Sequence, residues 1–216
     1  MVKRALQLLG AICISLLPLN ALRVFLYRVV YRYEIAKKAH IGWGTVIVVS
    51  QAHIGRAEIG ILNMFRGPFE LQIGDGASIG SRNEFLCGTW TLAPEFSQSG
   101  YLRFCKIGDN TLITDGHFID AVGGFEIQAG SWLAGRDSQF WSHGAKVTDR
   151  SIFIGQECYL GSAVRMAPGS AVGNYCIVGM GSVVTKKFLD DRLFIAGVPA
   201  KIVKENYDWK NQRVFE

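Results

Sequence analysis

The chain has 216 residues, of which 49% are apolar and 19% are charged, proportions that fit one globular domain and exclude a disordered protein. Apart from Lys3–Arg4 and the segment 23–38, the basic residues behind the net charge of +5 are scattered, so no basic stripe for nucleic acid is apparent. The five cysteines form no CxxC pair, which argues against a disulfide framework or a zinc site and indicates reduced thiols in a cytoplasmic protein.

Residues 1–40 differ in character from the rest of the chain. The segment 5–22 carries no charge and is followed by the basic segment 23–38. Pro18 interrupts the apolar run, which is marginal against the ~20 residues of a spanning helix. The sequence therefore predicts an N-terminal helical segment of two short helices. Their apolar faces either pack on the end of the domain or make peripheral membrane contact through residues 1–33, and the sequence leaves both alternatives open.

From Ile154 the chain repeats every six residues, as IGQECY, LGSAVR, MAPGSA, VGNYCI, VGMGSV and VTKKFL. The same phase recurs upstream in the blocks 73–90, 107–124 and 127–144, the last parsed as IQAGSW, LAGRDS and QFWSHG. A period of six fits neither an amphipathic helix nor an alternating strand, and it indicates a solenoid whose turns stack on one another. Three hexapeptides would close one triangular coil, so Cys158 and Cys176 should stack one coil apart as free thiols.

The ending IVGMGSVVTKKFLDDRLFIAGVPAKIVKE and the blocks GGFEIQAGSWLAG and CYLGSAVRMAPGS resemble the hexapeptide-repeat acyltransferases. Within that family they are most similar to sugar and polysaccharide O-acetyltransferases and to the maltose, galactoside and xenobiotic acetyltransferases. The resemblance implies an all-β fold, a left-handed parallel β-helix over residues 41–199, with the helical segment 1–40 before it and a C-terminal tail, 200–216, that ends in a short helix. It also implies a homotrimer with active sites between subunits.

The function implied by this resemblance is transfer of an acetyl group from acetyl-CoA to a sugar hydroxyl, with no metal required. The setting would be surface polysaccharide biosynthesis (capsule, O-antigen or exopolysaccharide), in the cytoplasm or at the inner face of the membrane. The acceptor would be a carbohydrate, a nucleotide sugar or a lipid-linked sugar. N-acetylation of an amino sugar and a non-catalytic β-helix scaffold are the alternatives.

Three interruptions of the repeat, 61–72, 91–106 and 145–153, are expected to be loops. In a solenoid such insertions leave from corners and collect over a functional face. His143 directly precedes the third interruption, and histidine suits general-base chemistry because it titrates near neutrality. The family's catalytic base stands at the corresponding position, so His143 is the predicted base.

The remaining predicted site residues fall into two groups. His117 and Asp137 occupy equivalent positions one coil apart, and they form either a buried structural pair or part of an acceptor pocket with Asp115, Asp120 and Trp141. The resemblance assigns a second group of residues to contacts with coenzyme A: Tyr159, Ser162, Met180, Thr185, Lys186 and Lys201.

Overall fold

The computed structural model describes residues 2–211, which form two helices, α1 (Val2–Ser15) and α2 (Asn20–Val30), followed by a long series of short strands. Two 3₁₀ turns, Thr89–Leu92 and Pro94–Phe96, lie in a loop. The strands in chain order are β1 (Glu34–Ile35), β2 (His40–Ile41), β3 (Val46–Ile54), β4 (Glu58–Ile59), β5 (Met64–Ile73), β6 (Ser78–Ile79), β7 (Glu84–Leu86), β8 (Phe104–Ile107), β9 (Leu112–Ile113), β10 (Phe118–Asp120), β11 (Phe125–Ile127), β12 (Trp132–Leu133), β13 (Gln139–Phe140), β14 (Ile152–Ile154), β15 (Tyr159–Leu160), β16 (Arg165–Met166), β17 (Ala171–Val172), β18 (Ile177–Val178), β19 (Val183–Val184), β20 (Lys187–Phe188), β21 (Phe194–Gly197) and β22 (Ala200–Lys204).

The strands stack in parallel into three faces of a prism. Face A contains β2, β4, β6, β9, β12, β15, β18 and β21; face B contains β7, β10, β13, β16 and β19; face C contains β1, β8, β11, β14, β17 and β20. The long strands β3 and β5 bend across faces B and C and join them into one sheet. The chain passes from A to B to C in every coil, which confirms the predicted parallel β-helix.

At least one apolar residue of each strand in the three faces points into the prism, and these residues form continuous ladders. On face A the ladder contains Ile41, Ile59, Ile79, Ile113, Leu133, Leu160, Val178 and Ile195, all buried and paired in register. Burial of each such side chain contributes about 1.5–3 kcal/mol. The hexapeptide period therefore reports the spacing between successive faces of the prism.

The six-residue repeat contains one additional residue at the A/B corner between β12 and β13. The sequence places Gln139 in the inward position, but Phe140 is the residue that is fully buried and paired with Ile119. The corner before it contains an additional residue and two left-handed conformations, at Gly135 (φ 73°) and Asp137 (φ 64°). The hexapeptide predicted as QFWSHG is therefore out of register by one residue.

The interruption at 61–72 is not a loop, because most of it belongs to β5, which runs from Met64 to Ile73. Phe65 points inward on face B, and Phe69 and Leu71 point inward after the bend. Gly67 makes the bend feasible: its φ is 133°, and a Cβ there would lie 2.1 Å from the carbonyl oxygen of Cys87. The strand turns the corner without leaving the sheet.

The two predicted helices are present and cover the N-terminal end of the prism. Ala11, Ile14, Val24 and Tyr27 are buried in the common core. The guanidinium of Arg23 is also buried, donates to the carbonyl of Ile41 at 2.8 and 2.9 Å, and has its pKa lowered by desolvation. One face of each helix is therefore packed on the domain, and parallel pairing already begins at Glu34, inside the predicted helical segment.

The other end of the prism is closed by β22, which pairs antiparallel with β21. Strand β22 and a turn occupy the tail up to Asn211, so this described part of the tail contains no helix. The rest of the predicted tail or short helix falls on residues 212–216, which lie outside the described residues. Among residues 2–211, no helix is long and apolar enough to cross a bilayer.

Cys158 and Cys176 lie on adjacent coils, as their neighbours Tyr159 and Ile177 are paired in register, and both are free and fully buried. This confirms the predicted stack of thiols. Their mutual hydrogen bond and burial raise the pKa of Cys158, so this thiol is inert in the folded protein.

Candidate active site

Two loops leave the prism from the same corner, between faces B and C. The first loop, residues 87–103, separates β7 from β8, and the second, residues 141–151, separates β13 from β14. They correspond to the later two of the three predicted interruptions. Loops that collect at one corner of a rigid solenoid are typical of a functional face.

His143 lies at the start of the second loop and is fixed by a carboxylate. Its Nδ1 lies 2.5 Å from Oδ2 of Asp120, and its side chain is 37% exposed, whereas that of Asp120 is only 5% exposed. Because an ionised carboxylate only accepts hydrogen bonds, Nδ1 carries the proton. Nε2 has no hydrogen-bond partner among residues 2–211, which leaves its lone pair for a substrate proton.

Asp120 is held by three donors besides His143. Its Oδ1 accepts from the backbone N–H of Val122 at 3.1 Å, and its Oδ2 accepts from the backbone N–H and the hydroxyl of Ser142, both at 3.0 Å. The Ser142 hydroxyl accepts in turn from the N–H of Gly123 at 2.8 Å. These contacts engage the Asp120 carboxylate within the fold, behind His143, whereas the sequence nominated it for an acceptor pocket.

An aromatic cluster from the first loop stands beside His143. The Trp90 ring lies 5.6 Å from the His143 ring and packs edge-on against Phe96 and Tyr101, at 4.9 and 5.3 Å. Arg150 of the second loop lies over the Tyr101 ring at 4.6 Å and donates to the carbonyl of Ser99 at 2.7 Å. The two loops therefore form one wall around the exposed edge of His143.

His117 is a buried residue of the A/B corner and does not reach His143. Its Nδ1 accepts from the N–H of Ser138 at 3.2 Å, so its Nε2 carries the proton and donates to the hydroxyl of Thr114 at 3.1 Å. Burial lowers the pKa of His117 to about 4. Both ring nitrogens are engaged within the fold, which indicates a structural role.

The expected pairing of His117 with Asp137 is not present. The additional residue in the corner shifts the register, so Ser138 stands beside His117. Asp137 adopts a left-handed conformation, is 71% exposed and lies 3.8 Å from the guanidinium of Arg136. A one-residue shift was enough to turn this carboxylate outwards.

The predicted acceptor residues are divided between two corners. Asp115 lies at the A/B corner with His117 and Asp137, and its Oδ1 accepts from the N–H of Ser81 at 2.5 Å. Trp141 follows β13 and packs on Phe118, with ring centroids 4.6 Å apart, on the outer side of face B. Only Asp120 touches His143.

The predicted coenzyme residues are also divided. Ser162 and Met180 occupy the A/B corner in successive coils, and Thr185 and Lys186 occupy the B/C corner that carries His143. Tyr159 packs against Trp132 and Trp209 on face A, and Lys201 belongs to β22. A single protomer does not bring these six residues together.

Sequence reasoning missed Trp90, Tyr101, Ser142 and Arg150. The only signal for the first two was the density of aromatic residues between positions 90 and 104. Ser142 and Arg150 carried no signal, because their roles depend on the conformation of two loops that are far apart in sequence.

The buried, neutral His117 should make the protein less stable in acid. The unfolded histidine has a pKa of 6.5 and the folded one a pKa of about 4, so the unfolded chain binds the additional proton between these values. The contribution is complete above pH 6.5 and is lost as the pH falls towards 4, at up to about 1.4 kcal/mol per unit. Chemical unfolding of the wild type and of His117→Gln at pH 7 and 5 should show a pH-dependent loss that is about 2 kcal/mol smaller in the variant. Equal pH dependence of the two proteins would contradict the assignment.

Comparisons with known proteins support the resemblance seen in the sequence, although no protein-family model matches the chain. It is 43% identical over 61 residues to WbbJ of Escherichia coli K12, named as a lipopolysaccharide biosynthesis O-acetyl transferase, and 37% identical over 65 residues to galactoside O-acetyltransferase of the same organism. The matched segments cover 28% and 30% of this chain and 31% and 32% of those proteins. The chain thus matches about a third of the length of each of these curated relatives.

Solved structures show the same fold. Galactoside acetyltransferase in complex with coenzyme A superposes with a TM-score of 0.52 and 20% identity, covering 67% of this chain and 69% of that one. LpxA from Acinetobacter baumannii superposes with a TM-score of 0.53 and 16% identity, covering 81% of this chain and 70% of that one. The chain therefore has the left-handed β-helix fold of the hexapeptide-repeat acyltransferases and resembles O-acetyltransferases over a segment of its sequence.

Proposed function

We propose that the protein transfers an acetyl group from acetyl-CoA to a hydroxyl of a sugar, in the synthesis of a surface polysaccharide, with His143 as general base. The observation that carries the proposal is the pairing of His143 with the buried Asp120 beside an aromatic loop. The curated relatives, both named as O-acetyltransferases and one of them for lipopolysaccharide biosynthesis, support it.

The pairing suits each proton transfer of such a reaction. Nε2 of His143 takes the proton of the sugar hydroxyl while the oxygen attacks the thioester carbonyl. The tetrahedral intermediate then collapses, the carbon–sulfur bond breaks, and the imidazolium returns the proton to the leaving thiolate. Asp120 stabilises the transient imidazolium and keeps the proton of the neutral ring on Nδ1.

The coenzyme would lie along the later coils. Thr185 and Lys186 stand at the same corner as His143, two coils further on, and an exposed lysine suits the phosphates of coenzyme A. Two alternatives differ from this reaction in their product: N-acetylation of an amino sugar would form an amide, and a non-catalytic scaffold would form no product. The scaffold gives no reason for a half-exposed histidine paired with a buried carboxylate.

We infer that three copies assemble around a three-fold axis. Ser162 and Met180 lie at the A/B corner, whereas a second set, at the B/C corner, contains His143, Thr185 and Lys186. Both sets can contact one coenzyme only if neighbouring subunits contribute. Met180 is 76% exposed in the single chain, and either a partner subunit or the coenzyme would cover it. Sedimentation should therefore give three times the 23.8 kDa of the chain. A monomer with full activity at micromolar concentration would contradict this arrangement.

The outer faces of the two helices suit peripheral contact with an anionic membrane. Leu6, Leu9 and Leu16 of the α1 region and Phe25 and Val29 of α2 are each more than half exposed, and their spacing places them on one stripe per helix.

The charge of the chain is concentrated beside these stripes. Residues 1–40 contain seven basic residues and one acidic residue, whereas the other 176 residues contain 16 basic and 17 acidic residues. Apolar stripes flanked by exposed arginines, such as Arg28 and Arg32, favour anionic headgroups.

We expect the protein to sediment with phosphatidylglycerol vesicles and far less with phosphatidylcholine vesicles. The double variant Leu9→Glu, Phe25→Glu should bind at least about tenfold more weakly, because it loses two apolar contacts and adds two negative charges. Leu189→Glu, an equally exposed leucine at the far end of the prism, is the matched control and should bind normally. Equal binding of all three proteins would contradict the membrane contact.

The activity itself is tested by thiol release from acetyl-CoA against a panel of free sugars, sugar phosphates and nucleotide sugars. The expected result is thiol release that requires a sugar and that occurs with sugars lacking an amino group. Release that occurs only with amino sugars would favour the N-acetyl alternative, and coenzyme A that fails to bind at all would favour the scaffold.

A further inference from the structure

A cavity of about 690 Å³ lies at the N-terminal end of the prism, on the side of the first loop. Its walls are the first turns of α1, the bent parts of β3 and β5, and the 3₁₀ turn that carries Trp90. It lies apart from the later coils where the coenzyme residues were predicted, and nothing in the proposed mechanism accounts for it.

The cavity is positively charged. Arg4 and Arg66 line it, and its lining contains no acidic side chain. In the part of the chain that the structure describes, neither guanidinium takes part in an ion pair. Two unpaired arginines at one concave site form the arrangement that binds phosphate oxygens.

The remaining walls are amphipathic. Leu8, Val48, Val49 and Leu92 provide apolar surface, and Gln7, Ser50 and Thr89 provide neutral hydrogen-bonding groups. A cavity that combines apolar walls with a few charged groups orients its ligand through those charges.

The cavity adjoins the proposed active site. Trp90 lines it, and the same ring lies 5.6 Å from that of His143. Arg66, Leu86 and Asp120 occupy successive rungs of face B, so the Cα of Arg66 lies about 10 Å along the prism from the Cα of Asp120, the residue whose carboxylate holds His143. A sugar on Trp90 would present a hydroxyl to His143 while a group on its anomeric side reached Arg66.

We propose that this cavity binds the phosphate of a glycosyl phosphate or glycosyl diphosphate, and that the acceptor of the reaction is such an activated sugar. The proposal rests on the proposed function, since the sugar is the acetyl acceptor. Arg4 and Arg66 bind the phosphate, and Trp90 packs against the apolar face of the sugar ring. The group on the far side of the phosphate is either a nucleotide or a lipid, and the test distinguishes the two.

The test measures equilibrium binding to protein saturated with coenzyme A, so that the coenzyme's own phosphates do not interfere. The three probes are inorganic pyrophosphate, UDP-glucose and farnesyl diphosphate. The variants are Arg66→Gln and Arg4→Gln, with Arg82→Gln as a matched control, because Arg82 is an exposed arginine at the A/B corner with no ion pair in the described residues.

We expect at least one diphosphate probe to bind the wild type and the Arg82→Gln control alike, and to bind Arg66→Gln about 10- to 100-fold more weakly. Stronger binding of UDP-glucose would identify a nucleotide sugar, and stronger binding of farnesyl diphosphate a lipid-linked sugar. Binding of none of the probes, or binding that is independent of both arginines, would overturn the proposal. Because coenzyme binding and thiol release are measured on the same proteins, this failure is distinguishable from failure of the proposed acetyl transfer.

Discussion

His143→Ala is expected to lower turnover by roughly 10²- to 10⁴-fold, the loss typical of a missing general base. The affinity for acetyl-CoA should be unchanged, because the predicted coenzyme residues lie on later coils. The His143 side chain is 37% exposed and the residue lies at the start of a loop, so the variant should fold normally. Single-turnover acetyl transfer and coenzyme binding, measured on the same preparation, give the two quantities.

The matched control for this prediction is His117→Gln. His117 is buried and hydrogen-bonded on both ring nitrogens, so its replacement should lower the free energy of unfolding and leave the chemical step of the folded enzyme nearly unchanged. Near wild-type turnover in His143→Ala would remove His143 from the mechanism.

Asp120→Asn is expected to lower turnover by about 10²-fold or more while the KM for acetyl-CoA stays constant. The amide oxygen can still accept from His143 and Ser142, so the ring remains oriented, although the amide nitrogen that replaces Oδ1 cannot accept from the N–H of Val122. The negative charge that stabilises the imidazolium is lost, and such charge stabilisation is a large part of many catalytic effects. The split between kcat and KM is the readout that a purely structural residue would not show.

Ser142→Ala serves as the structural control for this variant. It removes one hydrogen bond to Asp120 and leaves the N–H of Gly123 without its acceptor, which should cost about 1–3 kcal/mol of stability. The carboxylate and its contact with His143 remain, so the loss of turnover should be much smaller than in Asp120→Asn. Equal losses in both variants would show that Asp120 acts only by supporting the loop.

The fold could be predicted from the sequence because its period is short and local. Each inward residue, such as Ile113 or Val178, is set by the distance to the next corner, and a run of hexapeptides repeats that distance many times. The prediction was wrong where the corner length changes without a visible break. The additional residue before Phe140 moved Asp137 outwards, and the bend at Gly67 turned a predicted loop into the longest strand.

The site could be predicted only in part. His143 was nominated as the base from its place before a break in the repeat and from the resemblance, and that role stays a prediction. Nothing in the sequence indicated that Asp120 contacts His143, because that contact depends on the backbone conformation of residues 141–143 after they leave face B. The role proposed for Arg4 could not be predicted from the sequence either, because it depends on the packing of α1 beside the first loop.

The proposed membrane contact and the proposed phosphate site both involve helix α1. Arg4 and Leu8 line the cavity beside Trp90, while Leu6 and Leu9 are exposed on the opposite side of α1. One helix would thus contact both the acceptor and the membrane, which suits a substrate that is presented at a membrane surface.

Labelled acetyl groups can be followed from acetyl-CoA into sugar. The wild-type protein should place the label on a hydroxylated sugar as an ester that mild alkali removes, and His143→Ala should place there less than about one hundredth as much in the same time. Label that stays on acetyl-CoA with every sugar, or that survives alkali as an amide, would contradict acetyl transfer to a sugar hydroxyl by His143.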